Sequence, residues 1–284
     1  EKGYNDALLI NSIKENGRGV LETVLDDLPP ADADENKEFF IRQQVLYEKY
    51  GEIKNIQGNW QDVRAYYGLQ PPLQPYGRAT HGYGHANFHE DFDKIYRRQA
   101  LIAKSSNLLE LIRFDDLTVD YPIDYSLFQR FEWVDRNGIP HTVPQPLTEK
   151  VLADLKDSLE ARAPLRQEDT NEDGEPDDSY YVIRKYQDHF IPSITLSLAL
   201  EYWNKKLSDI DVVLGKHIHI PSPQYWSKTD NAWIPYELEI KPALFNEAGE
   251  ITQPAVMKKV EEVYIPIDDQ GRMLINFMGP ASFA

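Results

Sequence analysis

Helical and extended segments interleave along the whole chain, and this alternation is what most restricts its fold. Asp6–Asn16 carries Ala7, Leu8, Ile10 and Ile13 at helical spacing, and Gly17-Arg-Gly19 stops the pattern before the strand-like run Val20–Leu25. The pair reads as helix then buried strand, half of a βαβ crossover. A Pro- and Asp-rich loop, Asp26–Glu35, leads into an aromatic-rich helix from Asn36 to Tyr50, and a shorter helix is expected near Asn59–Tyr67. In Leu69-Gln-Pro-Pro-Leu-Gln-Pro-Tyr-Gly77 the prolines remove backbone donors and bias their predecessors towards extended conformations, so no regular element is expected there.

Gly82–Phe88 and Ile95–Lys104 read as strands around the acidic turn Glu90-Asp-Phe-Asp93. Phe128–Val134 and Pro140–Val143 flank Asp135-Arg-Asn-Gly138, where Asn-Gly tolerates the positive φ of a hairpin turn. Thr148–Ala161 is an amphipathic helix capped by Thr148, with Val151, Leu152, Leu155 and Leu159 inward. Another helix begins near Pro192 and runs through Leu196, Leu200 and Trp203. Val212–Ile220 and Trp233–Ile240 are β-rich, and the aromatic run Tyr225-Trp226…Trp233…Tyr236 fits hairpin packing better than a ligand groove. At the end of the chain Val263–Ile267 and Met273–Phe277 flank Asp268-Asp-Gln-Gly271, where the glycine can close a short hairpin. With no internal repeat, the pattern implies an α/β fold, a mixed central sheet with flanking helices and β-hairpins, an α+β sandwich being the neighbouring solution.

The 284 residues suffice for one large domain or two small ones, and 41% hydrophobic with 12% aromatic residues is a globular composition. Thirty basic against 47 acidic side chains leave −17, which repels phosphate backbones and anionic lipid, so nucleic acid is not an expected partner and divalent cations are. The absence of cysteine removes disulfides, thiolate nucleophiles and Cys-ligated zinc. No apolar run reaches the roughly 18–20 residues of a membrane helix, and no signal peptide opens the chain. The abrupt Glu1-Lys-Gly start and the stop after Gly279-Pro280 read as cut ends of a longer protein.

The sharpest local chemistry lies in Asp169-Thr-Asn-Glu-Asp-Gly-Glu-Pro-Asp-Asp178. Asp169, Asn171 and Asp173 place side-chain oxygens at the spacing of a calcium loop, Gly174 makes its turn, Glu175 supplies a backbone carbonyl, and Asp177 or Asp178 a further carboxylate. Tyr180 stands where an EF-hand has its bidentate Glu, so the pattern is closer to the short loops of extracellular calcium-binding repeats, and a structural Ca²⁺ is expected. His81, His85 and His89 recur every four residues, with Glu90, Asp91 and Asp93 behind them, a spacing that would suit Zn²⁺ or Fe²⁺ on a helix. Gly82 and Gly84 argue against that helix, and His217-x-His219 is a weaker pair on a strand. No Gly-x-Ser-x-Gly elbow, phosphate loop or dinucleotide fingerprint occurs, and Ser193, following Pro192, suits a helix cap rather than a nucleophile.

The closing string Ile265-Pro-Ile-Asp-Asp-Gln-Gly-Arg-Met-Leu-Ile-Asn-Phe-Met-Gly-Pro280 resembles the end of the CHASE type 2 domain, a sensory module of bacterial cyclases and kinases. The likeness extends in patches to Asp6-Ala-Leu-Leu-Ile…Val24, Gly84-His-Ala-Asn87, Asp91-Phe-Asp93, Arg97-Arg98 and Ile191-Pro-Ser-Ile-Thr-Leu-Ser-Leu-Ala-Leu200. The family's opening acidic strand and the helix after it have no counterpart, and acidic inserts near residues 26–77 and 165–180 lengthen the chain. The resemblance implies a single sensory domain over residues 1–284 that is a fragment without its first strand-helix unit. It also implies an extracytoplasmic part of a bacterial inner-membrane receptor, tethered through flanking segments, responding to a small ligand or envelope condition and working as a homodimer. On this reading the chain is no enzyme itself, and an adenylate/guanylate cyclase or a kinase forms the output. The alternatives are a secreted metal-dependent hydrolase using His81, His85 and His89, and a calcium-stapled adhesion module.

Overall fold

The computed structural model describes residues 2–29, 33–88, 93–168 and 176–275. Among them the alternating pattern becomes an α/β fold of mixed and antiparallel sheets with five α-helices: α1 Lys2–Asn16, α2 Ala33–Tyr50, α3 Gln74–Ala79, α4 Glu149–Arg162 and α5 Ile194–Tyr202. Proximity along the backbone divides the chain into two compact units, one formed by residues up to Ala103 together with those from Phe190 onward, the other by Lys104–His189. Among the described residues no helix is long and apolar enough to cross a membrane.

In the first unit the strand Val20–Asp26 follows α1 and pairs in parallel with Gly82–His85 and antiparallel with Gly68–Gln70. Helices α2 and α3 fill the connection between the parallel strands, which completes the βαβ crossover. Two local expectations are corrected. Leu69–Gly77 is not irregular throughout: Leu69 lies in the Gly68–Gln70 strand, and Pro75 sits in the first turn of α3, where its missing N–H costs nothing. The helix expected near Asn59–Tyr67 is reduced to a 3₁₀ turn, Trp60–Asp62, and a two-residue strand, Ala65–Tyr66.

A second, four-stranded sheet in this unit has the order Ile56–Gln57, Asp211–Val213, His217–Pro221, Glu262–Pro266. The closing turn forms as expected: Gly271 has φ +71, its N–H donates to Asp268 O at 3.0 Å, and the Asp268 carboxylate accepts from Gln270 N and Arg272 N at 3.0 and 2.9 Å. Beyond the turn, however, the two arms part, and among the described residues no closing hairpin ladder forms. Glu262–Pro266 pairs with His217–Pro221, whereas Arg272–Leu274 pairs with Arg98–Ala100. Gly271 packs so closely on Ile102 that a Cβ would lie 2.3 Å from its Cγ1, so a side chain is barred for two reasons at once. The aromatic run becomes a hairpin of Gln224–Ser227 with Ala232–Pro235, in which Trp226 faces Trp233 edge-on at 5.6 Å.

The second unit shows how one strand serves two environments. Gln129–Val134 alternates residues across its faces: Phe131 and Trp133 join Ile183 and the α4 residues Leu155 and Leu159 in an apolar core, while Arg130 and Glu132 point to the other side. Thr148 caps α4, accepting from Val151 N at 3.2 Å, as the sequence pattern implies. The charged face is nonetheless buried, and its charges satisfy one another. Asp188 accepts from Arg130 Nε at 2.8 Å and Ser106 Oγ at 2.6 Å, with Lys104 Nζ at 3.7 Å, and Glu132 accepts from Arg130 at 2.5 Å. The antiparallel register sets Tyr186 opposite Arg130 and brings its ring to 4.9 Å from the guanidinium carbon.

Asp188 is the carboxylate shared by two cations that are each about 1% exposed, so its loss leaves the buried group with more positive than negative charge. Asp188→Ala is expected to destabilise the chain by about 3–5 kcal/mol, against about 1 kcal/mol for Ser106→Ala, in denaturant titrations. Equal effects of the two changes would show that the ion pairs do not hold this face.

Candidate ligand-binding site

The site begins with a backbone contact. A Cβ on Gly84 would stand 2.6 Å from both Ser193 C and Ile194 N, so only glycine lets the Gly82–His85 strand lie against the start of α5. A parallel bridge joins His85 to Ser193 there. Ser193 is the helix cap expected from its place after proline: its Oγ accepts from Leu196 N at 3.1 Å, and its own N–H donates to Leu101 O at 2.7 Å. Pro192 itself ends the preceding strand rather than entering the helix. One turn along α5, Ser197 Oγ donates to Tyr83 O at 2.6 Å and fixes the helix along the strand.

Beside this contact, and wholly within the first unit, lies a cavity of about 450 Å³. That is the size range of sites for small organic ligands. Its apolar lining is Tyr50, Tyr83, Leu200 and Leu207. Tyr83 is almost completely buried, its hydroxyl donates to Gly51 O at 2.9 Å, and the rings of Tyr47 and Tyr50 lie 6.1 and 6.2 Å away.

The polar lining is Lys49, Lys205, Lys206 and His81, with the hydroxyls of Ser197 and Ser208 and one carboxylate, Glu201. Local structure explains these positions. Asn204, at φ +55, ends α5 in a Schellman turn in which Lys205 N donates to Leu200 O at 2.8 Å and Asn204 N to Glu201 O at 3.2 Å. The chain thus doubles back and leaves Lys205 and Lys206 at the cavity. Lys49, in the last turn of α2, donates to Arg78 O and Thr80 O at 2.7 and 2.8 Å. Its side chain is exposed as a whole, yet desolvation around its ammonium group, and then the charge of Lys14, hold its pKa below the ordinary lysine value.

Two other cavities are chemically quieter. In the one between Arg64 and Arg272, of about 170 Å³, both guanidinium groups are already engaged, Arg64 by Asp27 and Arg272 by Asp268. The other, near Asp26 and Asp27, is lined by carboxylates whose partners are Gln70 and Arg64.

The residues singled out for metal binding do not assemble into a centre among the described residues, where no three His, Asp or Glu side chains are placed to hold a metal ion. His81 opens onto the cavity, His85 is buried beside Ser193, and His89 lies outside the described residues. His219 is stacked on Tyr264 and lies 3.5 Å from Asp211 and 3.2 Å from Glu262, while His217 meets the edge of the same ring. Of the calcium-loop residues, Asp169, Asn171, Asp173 and Glu175 lie outside the described residues. The Asp177 N–H donates to Glu168 O at 3.1 Å, and the Asp178 carboxylate accepts from Arg113. No local pattern in the sequence links the cavity lysines, because Lys49 lies more than 150 residues from Lys205 and Lys206. The one usable sign was Asn204-Lys-Lys206 directly after an apolar helix.

No protein-family model matches the chain, and no curated protein or solved structure does so either.

Gly84→Ala is expected to cost about 3 kcal/mol, because backbone and not a flexible side chain must give way, and to loosen α5 in amide-exchange measurements. Retained stability and protection in the variant would remove the premise that this contact places the cavity. Burial pushes the Tyr66 phenol up to about 12, with Arg64 lowering it and Asp27 raising it, and burial also raises Tyr50 and Tyr83. The folded state therefore holds these protons more tightly than the unfolded chain, whose phenols titrate near 10.0. The Tyr66 contribution is complete below that pH and is lost as pH rises through about 12, so melting temperature should fall across this window, less steeply in Tyr66→Phe. A flat profile would contradict it.

Proposed function

We propose that the chain is the extracytoplasmic sensory domain of a bacterial transmembrane receptor, related to CHASE type 2 domains, with a cyclase or kinase as output. The observation that carries this reading is the contact between Gly84-His85 and Pro192-Ser193. These are two of the patches on which the resemblance rests, they are more than 100 residues apart in sequence, and they meet through a parallel bridge at a position where only glycine fits. A third patch, the closing string, joins the same framework: Leu101 accepts from Ser193 N and donates to Gly271 O at 3.0 Å.

This arrangement supports a simple means of signalling. A ligand in the cavity touches α5, whose cap is tied through Leu101 to the turn at Gly271 and so to the segment that would lead towards the membrane. Binding would favour one of two settings of α5, and the shift in population would reach the output through that tie. Outputs of this class work as pairs, so the intact receptor is expected to be a dimer.

The test is the gene on either side of these codons, followed by the intact product. Membrane-spanning segments and a cyclase or kinase catalytic domain are expected, with an output altered by Gly271→Ala. A reading frame that stops at residue 284 would sink the receptor reading.

A further inference from the structure

We infer that the cavity between α2, the Gly82–His85 strand and α5 binds a small organic anion, a carboxylate or phosphate group carried on an apolar body of about one ring. The inference deepens the sensory reading, on which it rests for its biological role but not for the binding itself.

Charge decides the head group. The chain as a whole is strongly acidic at −17, yet three lysines and only one carboxylate line this cavity. The ordinary reason for a lysine at the end of a helix is to offset the partial negative charge there, roughly half a unit for each helix. Helices α2 and α5 both end at the cavity, and together with Glu201 they account for about two of the three positive charges. Roughly one positive charge remains in surplus, before the nearby Lys14 of α1 is considered, whose field is felt at Lys49. Lys49 already spends two N–H donors on Arg78 O and Thr80 O. Among the described residues neither Lys205 nor Lys206 is ion-paired through its side chain, so the surplus resides mainly on that pair. His81 and Ser208 provide further hydrogen-bonding groups at the same rim. A charge-assisted hydrogen bond from an ammonium group to a carboxylate or phosphate oxygen is about twice as strong as a neutral one.

Shape decides the rest of the ligand. A bare inorganic ion would leave most of the roughly 450 Å³ unfilled, including the space against the half-buried ring of Tyr50. A ring or short aliphatic body fills it. Tyr83, fixed at its hydroxyl by Gly51 and at its carbonyl by Ser197, presents a wall that need not reorganise on binding.

Titration calorimetry on the 284-residue chain with benzoate, phenyl phosphate, benzyl alcohol and inorganic phosphate tests both halves of the inference. At least one of the two aromatic anions should bind, and more tightly than either the neutral alcohol or inorganic phosphate. The paired change Lys205→Gln and Lys206→Gln should weaken that binding about tenfold or more while lowering the melting temperature of the free chain only slightly. Tyr50→Ala, at a half-buried position of the cavity wall, serves as a second probe and should weaken the aromatic anions while leaving inorganic phosphate as it was. Absence of binding by both aromatic anions, equal affinity for benzyl alcohol, or affinity that survives the paired lysine change would overturn the inference. The sensory reading is judged separately by the output of the intact receptor. An anion that binds without changing that output would count against the sensory reading alone, and a receptor responsive to other ligands would stand even if these anions fail to bind.

Discussion

The first unit depends on a place where two backbones touch without a side chain between them. At Gly84 the parallel edge strand of the three-stranded sheet and the start of α5 approach to a distance that excludes even a methyl group. Much follows from that closeness. Ser193 can bridge to His85 and still cap its helix, Ser197 can reach the carbonyl of Tyr83, and α5 runs along the strand instead of standing off on a layer of side chains. The cavity is what remains at the far end of this contact, where the helix stops at Asn204 and α2 stops at Tyr50. The closing turn uses a glycine in a related way, with Gly271 pressed on the side chain of Ile102.

The two units treat charge in opposite ways. In Lys104–His189 the carboxylates of Asp188 and Glu132 meet Arg130 and Lys104 at short range, and the group is sealed from water. Such a set is costly to desolvate and tolerates the loss of no member, which suits a framework that must keep one arrangement. At the cavity the lysines outnumber their local carboxylates and stay in contact with solvent. An unfinished charge balance next to preformed aromatic walls is the condition under which an incoming anion gains most.

Strongly periodic elements and turn chemistry were legible in the sequence. Helix α4 with its Thr148 cap, the Asn137-Gly138 turn, the strand after Gly19 and the turn at Gly271 all follow from spacing and from the few residues that tolerate positive φ. What happens beyond a turn was not legible. The arms on either side of Asp268–Gly271 alternate well enough to pair with each other, but each finds a better edge elsewhere, at His217–Pro221 and Arg98–Ala100. Similarly, Arg130 and Glu132 alternate with aromatics as residues of a solvated strand face would, and only the position of Asp188, more than 50 residues later, makes their burial tolerable.

The sequence by itself determined the class of fold, the caps at Thr148 and Ser193 and the glycine turn at Gly271, because each depends on neighbours within one or two turns. Tertiary structure alone decided which glycine meets which backbone, which strands share a sheet, and that lysines from α2 and from the end of α5 stand around one cavity. Those outcomes rest on contacts between segments more than 100 residues apart. Many alternative pairings satisfy the same local pattern, and the simultaneous packing of all segments selects among them.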